Sequence, residues 1–310
     1  MHNFYQKVFV LMLCLFFCFN IVTQEQPLST STSHAVKTQY YRWYQMYERD
    51  INELRVANQL EILDSDIVIE TIAGTMKGRD TYPERVKAYK KWKNAHHVQN
   101  VTISKKDQLL FLEADIIYQA ILPNETKKNF ALHYTAQLKN VDGLLPIFTQ
   151  IKIVPKTDKI EREFKDAYPD NRIKSLIHYW LLCMEQLDGN VNPFKELLTD
   201  NFELNFSTNS QITSITQLEK WLNGMPMQLQ SSQHFPKNLS IKQLNKNKYQ
   251  VNVEFEWLGV MKNGPMLKAT TAHEWIVLDD INQRFAKIQK ATVRQIKPLQ
   301  QYNNKEKDKK

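Results

Sequence analysis

The chain has 310 residues, which is enough for two domains of ordinary size. Hydrophobic residues make up 42% and aromatic residues 11%, which is typical of a globular protein and excludes a disordered or fibrous one. The net charge of +8 raises the question of a nucleic-acid partner. The local basic run at residues 85–93, however, alternates with apolar residues at helical spacing, which indicates a solvated helix face. We therefore predict no nucleic-acid partner.

The first residues of the chain are typical of a secretory signal peptide. Lys7 precedes an apolar run at residues 8–22, and a polar segment follows. The run is short for a membrane span. We predict a signal peptide over residues 1–24 and export, either to the periplasm or out of the cell. The alternative is an uncleaved segment at residues 8–22 that anchors the chain, and we expect no other membrane contact.

A short sequence motif, the repeated phrase, occurs twice. At residues 96–103 and again at 234–241, a His is followed four residues later by Asn, then by a hydroxyl residue and Ile. Farther along, His133 and His273 follow at nearly the same distance from each phrase. A period of about 140 residues is too long for a solenoid unit and indicates a duplicated domain. The division that we predict is a linker at 25–37, a first domain at 38–156, a linker at 157–169, a second domain at 170–298 and a disordered basic tail at 299–310.

Each half follows one plan of elements. A helix with apolar residues at three- and four-residue steps is expected at residues 40–60 and again at 171–187. A short strand and a small helix follow, and the rest of each half consists of β-rich runs separated by turn residues, which predict long hairpins. Helices that precede a run of antiparallel strands form an α+β pattern. Asn100 and Asn238 in the repeated phrase are expected to fix a turn through side-chain-to-backbone hydrogen bonds.

This order of elements, with H-x-x-x-N-x-[ST]-I leading into the strands, resembles the nuclear-transport-factor-2-like superfamily, and within it the SnoaL-like, polyketide-cyclase-type branch. The resemblance covers residues 38–156 and 170–298. It implies two tandem cone-shaped α+β barrels, each with N-terminal helices packed in a curved antiparallel sheet around an apolar cavity. It also implies pairing of two such units, either as a pseudo-dimer within the chain or as a homo-oligomer. The superfamily contains dehydratases, isomerases, cyclases and members without chemistry, so the fold leaves the function open.

Histidines are the first candidates for chemistry, because imidazole titrates near neutral pH and suits proton transfer. Strand alternation places His273 on one face with Thr271 and Trp275, where it could line a cavity. The competing interpretation is a partly buried imidazole that only holds a strand in place. The candidate catalytic residues are His133, His273, His96, His97 and His234.

Aromatic residues on the first helix of each half, and beside His273, are candidate ligand-binding residues, although aromatic residues at helical spacing also form cores. These candidates are Tyr44, Tyr47, Trp43, Trp180 and Trp275. Among the carboxylates, Glu113, Asp115, Glu254 and Glu256 are expected on the solvent face of their strands, and Asp64, Asp66 and Asp200 are secondary candidates at a turn. The one cysteine outside the leader, Cys183, lies in an apolar helical stretch, so we expect a buried thiol.

The sequence predicts no metal and no cofactor, because it has no zinc-type His pattern and no Gly-rich phosphate loop. We expect an exported two-domain protein that binds a small, largely apolar molecule, and leave open whether it also performs cofactor-free lyase or isomerase chemistry. The alternatives are a non-catalytic interaction or scaffold module, or one active copy beside a degenerate one. Ligand binding requires that both imidazoles of one half point into a cavity of roughly 300 Å³ or more.

Overall fold

A long, largely buried helix opens each half of the chain. The computed structural model describes residues 28–157, 160–206, 210–262 and 264–302. Helix α1 spans Thr30–Gln45, and its N-cap Ser29 accepts a hydrogen bond from the Thr32 backbone N–H. The helix begins within the segment predicted as a linker, because side chains such as Val36 are already buried in the first core. The predicted signal peptide lies outside the described residues, so export stays a prediction.

The first half continues with a second short helix rather than with one helix to residue 60. Helix α1 ends at Gln45. Asn52 then caps a new helix by accepting a hydrogen bond from the Arg55 N–H at 3.0 Å. The elements that follow α1 are α2 Glu53–Leu60, β1 Leu63–Thr71, β2 Gly74–Lys77, a 3₁₀ turn Arg79–Thr81, α3 Tyr82–Lys87, β3 Lys93–Lys106, β4 Leu109–Ile121, β5 Lys127–Lys139 and β6 Ile147–Thr157.

The second half repeats this order. Its elements are α4 Tyr168–Gln186, α5 Asn192–Lys195, β7 Leu198–Asn205, β8 Gln211–Ile212, α6 Ile215–Gln228, β9 Leu229–Asn245, β10 Lys248–Met261, β11 Met266–Leu278 and β12 Lys287–Tyr302. Strand β12 includes residues 299–302, which the sequence pattern assigned to a disordered tail, because these residues still pair with β11. Residues 303–310 lie outside the described part of the chain.

The two sheets have the same strand order, which establishes the duplication. The first is ordered β2-β1-β6-β5-β4-β3 and the second β8-β7-β12-β11-β10-β9. The predicted α+β class with two tandem units is therefore confirmed. The sheets are mixed rather than entirely antiparallel, because β1 pairs with β6, and β7 with β12, in parallel. This parallel pairing arises because helices separate β1 and β7 from the hairpins that complete each sheet.

The repeated phrase lies inside long strands, at β-bulges. In β3 the pairing with β4 shifts between Val98 and Asn100, and in β9 the pairing with β10 shifts around Asn238. Asn238 has a φ of 52°, a left-handed conformation that Asn tolerates better than most residues. The prediction that Asn100 and Asn238 fix a turn is corrected accordingly: these residues mark bulges. A bulge bends a strand and increases its twist, which curves the sheet around the helix.

Helices α1 and α4 pack against each other in antiparallel directions between the two cores. Near the end of α1, Gln45 donates to the Ser175 hydroxyl at 2.9 Å. The rings of Tyr41 and His178 stack with centroids 5.7 Å apart. Each helix thus faces its own sheet on one side and the helix of the other half on the other. No helix within the described ranges has the length and apolar character needed to cross a membrane.

Candidate functional site

Each half contains a cavity between its first helix and its sheet. The first cavity has a volume of about 350 Å³ and the second of about 280 Å³. The first cavity is lined by His96 and by the aromatic residues Trp43, Tyr47, Tyr89, Trp92, Tyr118, Phe130 and Tyr134. The second cavity is lined by His234, His273 and the aromatic residues Trp180, Phe206, Trp221, Phe255, Trp257 and Trp275. Both cavities are therefore mostly apolar with a few polar groups, as small-molecule sites usually are.

A buried carboxylate holds the histidine of the first cavity. Glu48 follows α1, its side chain is fully buried, and its Oε1 lies 3.1 Å from His96 Nδ1. The same oxygen accepts the His96 backbone N–H at 2.8 Å. Because a carboxylate oxygen accepts, Nδ1 carries the proton and Nε2 carries the lone pair. Nε2 makes no hydrogen bond within the described part of the chain, so it remains available to a molecule in the cavity.

The other half of the chain completes this pair. Asn171 near the start of α4 donates its amide to Glu48 Oε1 at 2.9 Å and to Oε2 at 3.1 Å. The same amide also lies 3.0 Å from the His96 carbonyl oxygen. The Tyr44 ring stacks on the His96 ring with centroids 4.6 Å apart. His96 is thus fixed at its ring, its backbone N–H and its carbonyl, which leaves it a single orientation.

The second half repeats the arrangement with different chemistry. Glu185 Oε1 accepts the His234 backbone N–H at 2.5 Å and lies 3.4 Å from His234 Nδ1. His34 of α1 reaches across from the first half, and its Nε2 donates to the His234 carbonyl at 3.0 Å. Burial by itself would raise the pKa of Glu185, but hydrogen bonds from His234 and His34 together lower it. The buried Glu185 Oε2 has no hydrogen-bond partner among the described residues.

The second cavity also holds a histidine that the first cavity lacks. His273 lines the cavity from β11, and its Nε2 lies 2.9 Å from the Thr271 hydroxyl. Burial, with a smaller contribution from the neighbouring His234, lowers the pKa of His273 to about 3. His273 is therefore a neutral imidazole at physiological pH. Both imidazoles of this half line one cavity, whose volume of about 280 Å³ is close to the roughly 300 Å³ that ligand binding was expected to require.

His133 does not correspond to His273. Aligning the two halves by strand register, rather than by sequence, shifts the match by one residue. Lys139 pairs with Leu109 at one end of β5, as Leu278 pairs with Lys248 at the same end of β11. Counted from these ends, the position of His273 is occupied by Tyr134 in the first half. A shift of one residue moves a strand side chain to the other face.

His133 and His97 lie on the outer face of the first sheet, away from the first cavity, so their prediction as cavity residues is wrong. His133 Nδ1 lies 2.9 Å from Asp115, which also pairs with Lys156 at 3.0 Å. Hydrogen bonds from His133 and Lys156 lower the pKa of Asp115. His97 Nε2 donates to Gln119 at 2.9 Å, and burial lowers the pKa of His97.

The predicted ligand-binding aromatic residues divide in the same way. Trp43 and Tyr47 line the first cavity, and Trp180 and Trp275 line the second. Tyr44 does not line either cavity, because its ring is fully buried against His96 and its hydroxyl bonds to Tyr40. Its role is to support His96.

Sequence reasoning missed the two glutamates, Glu48 and Glu185. A usable signal existed, because each lies five residues after a tryptophan of the first helix, Trp43 or Trp180. The turn acids considered instead do not reach the cavities. Asp64, for example, pairs with Lys139 at the end of β5, and the hydrogen bond from that lysine lowers the pKa of Asp64.

Two kinds of candidate remain, namely metal ligands and the cysteine. Within the described ranges, no group of three or more His, Cys, Asp or Glu side chains could hold a metal ion. Cys183 is buried in α4, and burial raises the pKa of its thiol, as expected for a core residue rather than a nucleophile.

Comparisons with known proteins give similarities at the level of one half of the chain. No family model matches the chain, and no curated protein matches it. Among solved structures, a candidate scytalone dehydratase from Novosphingobium aromaticivorans is 13% identical with a TM-score of 0.39, covering 43% of this chain and 87% of its own.

Two further solved structures give similar values. The hexachlorocyclohexane dehydrochlorinase LinA-type3 from Novosphingobium barchaimii is 12% identical with a TM-score of 0.38, covering 44% of this chain and 90% of its own. A nuclear transport factor 2-like superfamily protein from Salmonella enterica is 12% identical with a TM-score of 0.36, covering 41% of this chain and 89% of its own. The similar structures thus include a member of the superfamily that the sequence resembles.

Proposed function

We propose that the protein binds small, largely apolar molecules in its two cavities and transfers a proton in the first. The observation that carries this proposal is the Glu48–His96 pair, in which a buried carboxylate fixes the tautomer and leaves Nε2 as a base in an aromatic cavity. The reaction class is cofactor-free elimination or isomerisation.

In such a reaction Nε2 of His96 takes a proton from a carbon atom of the bound molecule, and the electron pair of the C–H bond forms a new double bond. In an elimination, the bond to the leaving group breaks and its electron pair departs with that group. In an isomerisation the imidazolium returns the proton to another carbon. Glu48 stabilises the imidazolium through Nδ1–H, while the apolar lining excludes water that would compete for the proton.

The second cavity supports binding without proton transfer. His234 Nδ1 lies farther from its carboxylate, at 3.4 Å, and His273 stays neutral because of burial. A neutral imidazole among indole rings recognises a hydrogen-bonding group on a neutral ligand without taking up charge.

The proposal is tested with 5-nitrobenzisoxazole, a small aromatic molecule whose ring opens when a base removes its C–H proton. The proton goes to the base, the N–O bond breaks, and the coloured nitrile phenolate forms. We expect the purified full-length chain to accelerate ring opening and His96→Ala to lose at least about 100-fold of that acceleration, the range of a positioned general base.

His234→Ala is the matched control, because it removes the equivalent imidazole from the other cavity. It should keep most of the rate. Equal loss in both variants, or no loss in His96→Ala, would contradict proton transfer in the first cavity.

A further inference from the structure

We propose that the ligand of the first cavity has an apolar body and one carboxylate group, and that Arg85 and Lys128 bind the carboxylate. This inference rests on the proposed function of the same cavity and names the chemical class of its ligand.

The lining of the first cavity has cations but no acids. Among the described residues, Arg85 of α3 and Lys128 of β5 both line it, whereas no Asp or Glu does. Neither cation forms an ion pair within the described part of the chain. The Arg85 guanidinium donates to the neutral Thr71 hydroxyl at 3.4 Å, although the side chain is half-buried beside aromatic rings. A partly buried charge without a counter-charge destabilises the protein, and a bound anion would remove that cost.

The basic run that the sequence analysis assigned to a solvated helix face therefore has two kinds of members. Lys87 fits that assignment, because it is exposed and pairs with Glu84 on the same helix. Arg85 does not fit it, because its side chain turns toward the cavity. A guanidinium presents paired N–H donors that match the two oxygens of a carboxylate.

Strand register gives the separation between Lys128 and the base. His96 pairs with Tyr118, which pairs with Phe130, whereas Lys128 lies two residues before Phe130 in β5. Two strand spacings across and two residues along place the His96 and Lys128 backbones roughly 12 Å apart. A planar molecule of two fused rings spans this interval, with its carboxylate at the cations and its other end at Nε2. Trp43, Tyr47 and Tyr118 then face its rings.

The second cavity provides the contrast. The described residues that line it include no Lys, Arg, Asp or Glu. A preference for an acid over its neutral amide is therefore expected from the first cavity alone.

The experiment compares 2-naphthoate with the uncharged 2-naphthamide, which has the same ring system. Each is titrated into the full-length chain and binding is followed by calorimetry. We expect naphthoate to bind at least tenfold more tightly, and we expect the preference to weaken as salt is added. Arg85→Met and Lys128→Met should each reduce the preference several-fold, and the double variant should abolish it. Lys87→Met, a cation of the same helix outside the cavity, should leave it unchanged.

Equal binding of the acid and the amide, no binding of the acid, or an unchanged preference in the double variant would overturn this inference. The outcome is separate from that of the proposed function. A preference for naphthoate, together with a ring-opening rate that is unchanged in His96→Ala, would contradict only proton transfer. Ring opening that requires His96, without naphthoate preference, would contradict only the carboxylate site.

Discussion

The two halves keep one supporting network around cavities of different chemistry. In both, a buried glutamate accepts from the backbone N–H of a cavity histidine, Glu48 from His96 and Glu185 from His234. The linings differ: two cations and several tyrosines surround the first cavity, whereas indole rings and a neutral His273 surround the second. The duplication thus preserved what orients the histidine and changed what the histidine faces.

A second contrast lies in the donors that cross between the halves. The first site receives Asn171, whose amide does not titrate, and the second receives His34, which also bonds to His178 through Nδ1 at 2.9 Å. Burial lowers the pKa of His178 far below its usual value, with the nearby His34 contributing, so His178 is neutral. The second site is therefore supported by a chain of imidazoles, and the first by an amide that is insensitive to pH.

The largest expected effect comes from removing the glutamate of each half. Glu48→Ala should lose benzisoxazole ring opening and about 3–5 kcal/mol of unfolding free energy, because buried N–H donors of His96 and Asn171 lose their acceptor. Glu185→Ala should cost less, about 1–3 kcal/mol, because its Oε2 is already without a partner. Urea denaturation of the two variants gives the difference directly. A larger loss in Glu185→Ala would reverse the comparison.

The second cavity makes one defined contribution to the pH dependence of stability. The pKa of His273 is about 3 in the folded protein and near its usual value of 6.5 in the unfolded chain. Below pH 6.5 the unfolded chain therefore binds a proton at His273 that the folded protein does not bind. Stability consequently falls as the pH falls from 6.5 toward 3. At pH 5 this one group should account for about 2 kcal/mol.

His273→Phe removes that group and fills the same space. Urea denaturation at pH 7 and pH 5 should show the variant losing about 2 kcal/mol less than the wild type over this interval. The measurement at pH 7 is the internal control for repacking. Parallel losses in the two proteins would show that His273 is not buried as a neutral imidazole.

The smallest effect is expected at His133, one of the candidate catalytic residues of the sequence analysis. The His133 and Asp115 side chains are both 31% exposed, and a surface pair of this kind contributes little to stability. His133→Ala should leave both the unfolding free energy and ring opening nearly unchanged. A loss of ring opening comparable to that of His96→Ala would move the site to the outer face of the sheet.

The sequence was sufficient for the architecture and for one histidine of each cavity. The repeated phrase located the duplication, His96 and His234, and helical spacing identified Trp43 and Trp180 as facing the interior. The mid-strand histidines could not be resolved, because a period-two pattern changes face with each residue and a bulge between phrase and strand alters the count. The start of α1 was missed because Ser- and Thr-rich segments also form linkers, whereas this one is ordered by packing of side chains such as Val36 into the first core.

The donors Asn171 and His34 could not be predicted from the sequence, for a different reason. Each lies on one half of the chain and acts in the other, so no pattern within a single repeat contains the interaction. Their positions depend on how α1 packs against α4, which is set by tertiary contacts between distant segments.

The antiparallel crossing of α1 and α4 makes the two repeats mutually dependent in heredity as well as in structure. A repeat that was copied, cut out or moved to another gene would leave behind the side chain that its former neighbour needs, and would arrive without the one that it needs itself. Neither copy could therefore be lost after the duplication without exposing a buried carboxylate in the other. A repeat whose cavity no longer bound a ligand would still support the adjacent site through its helix.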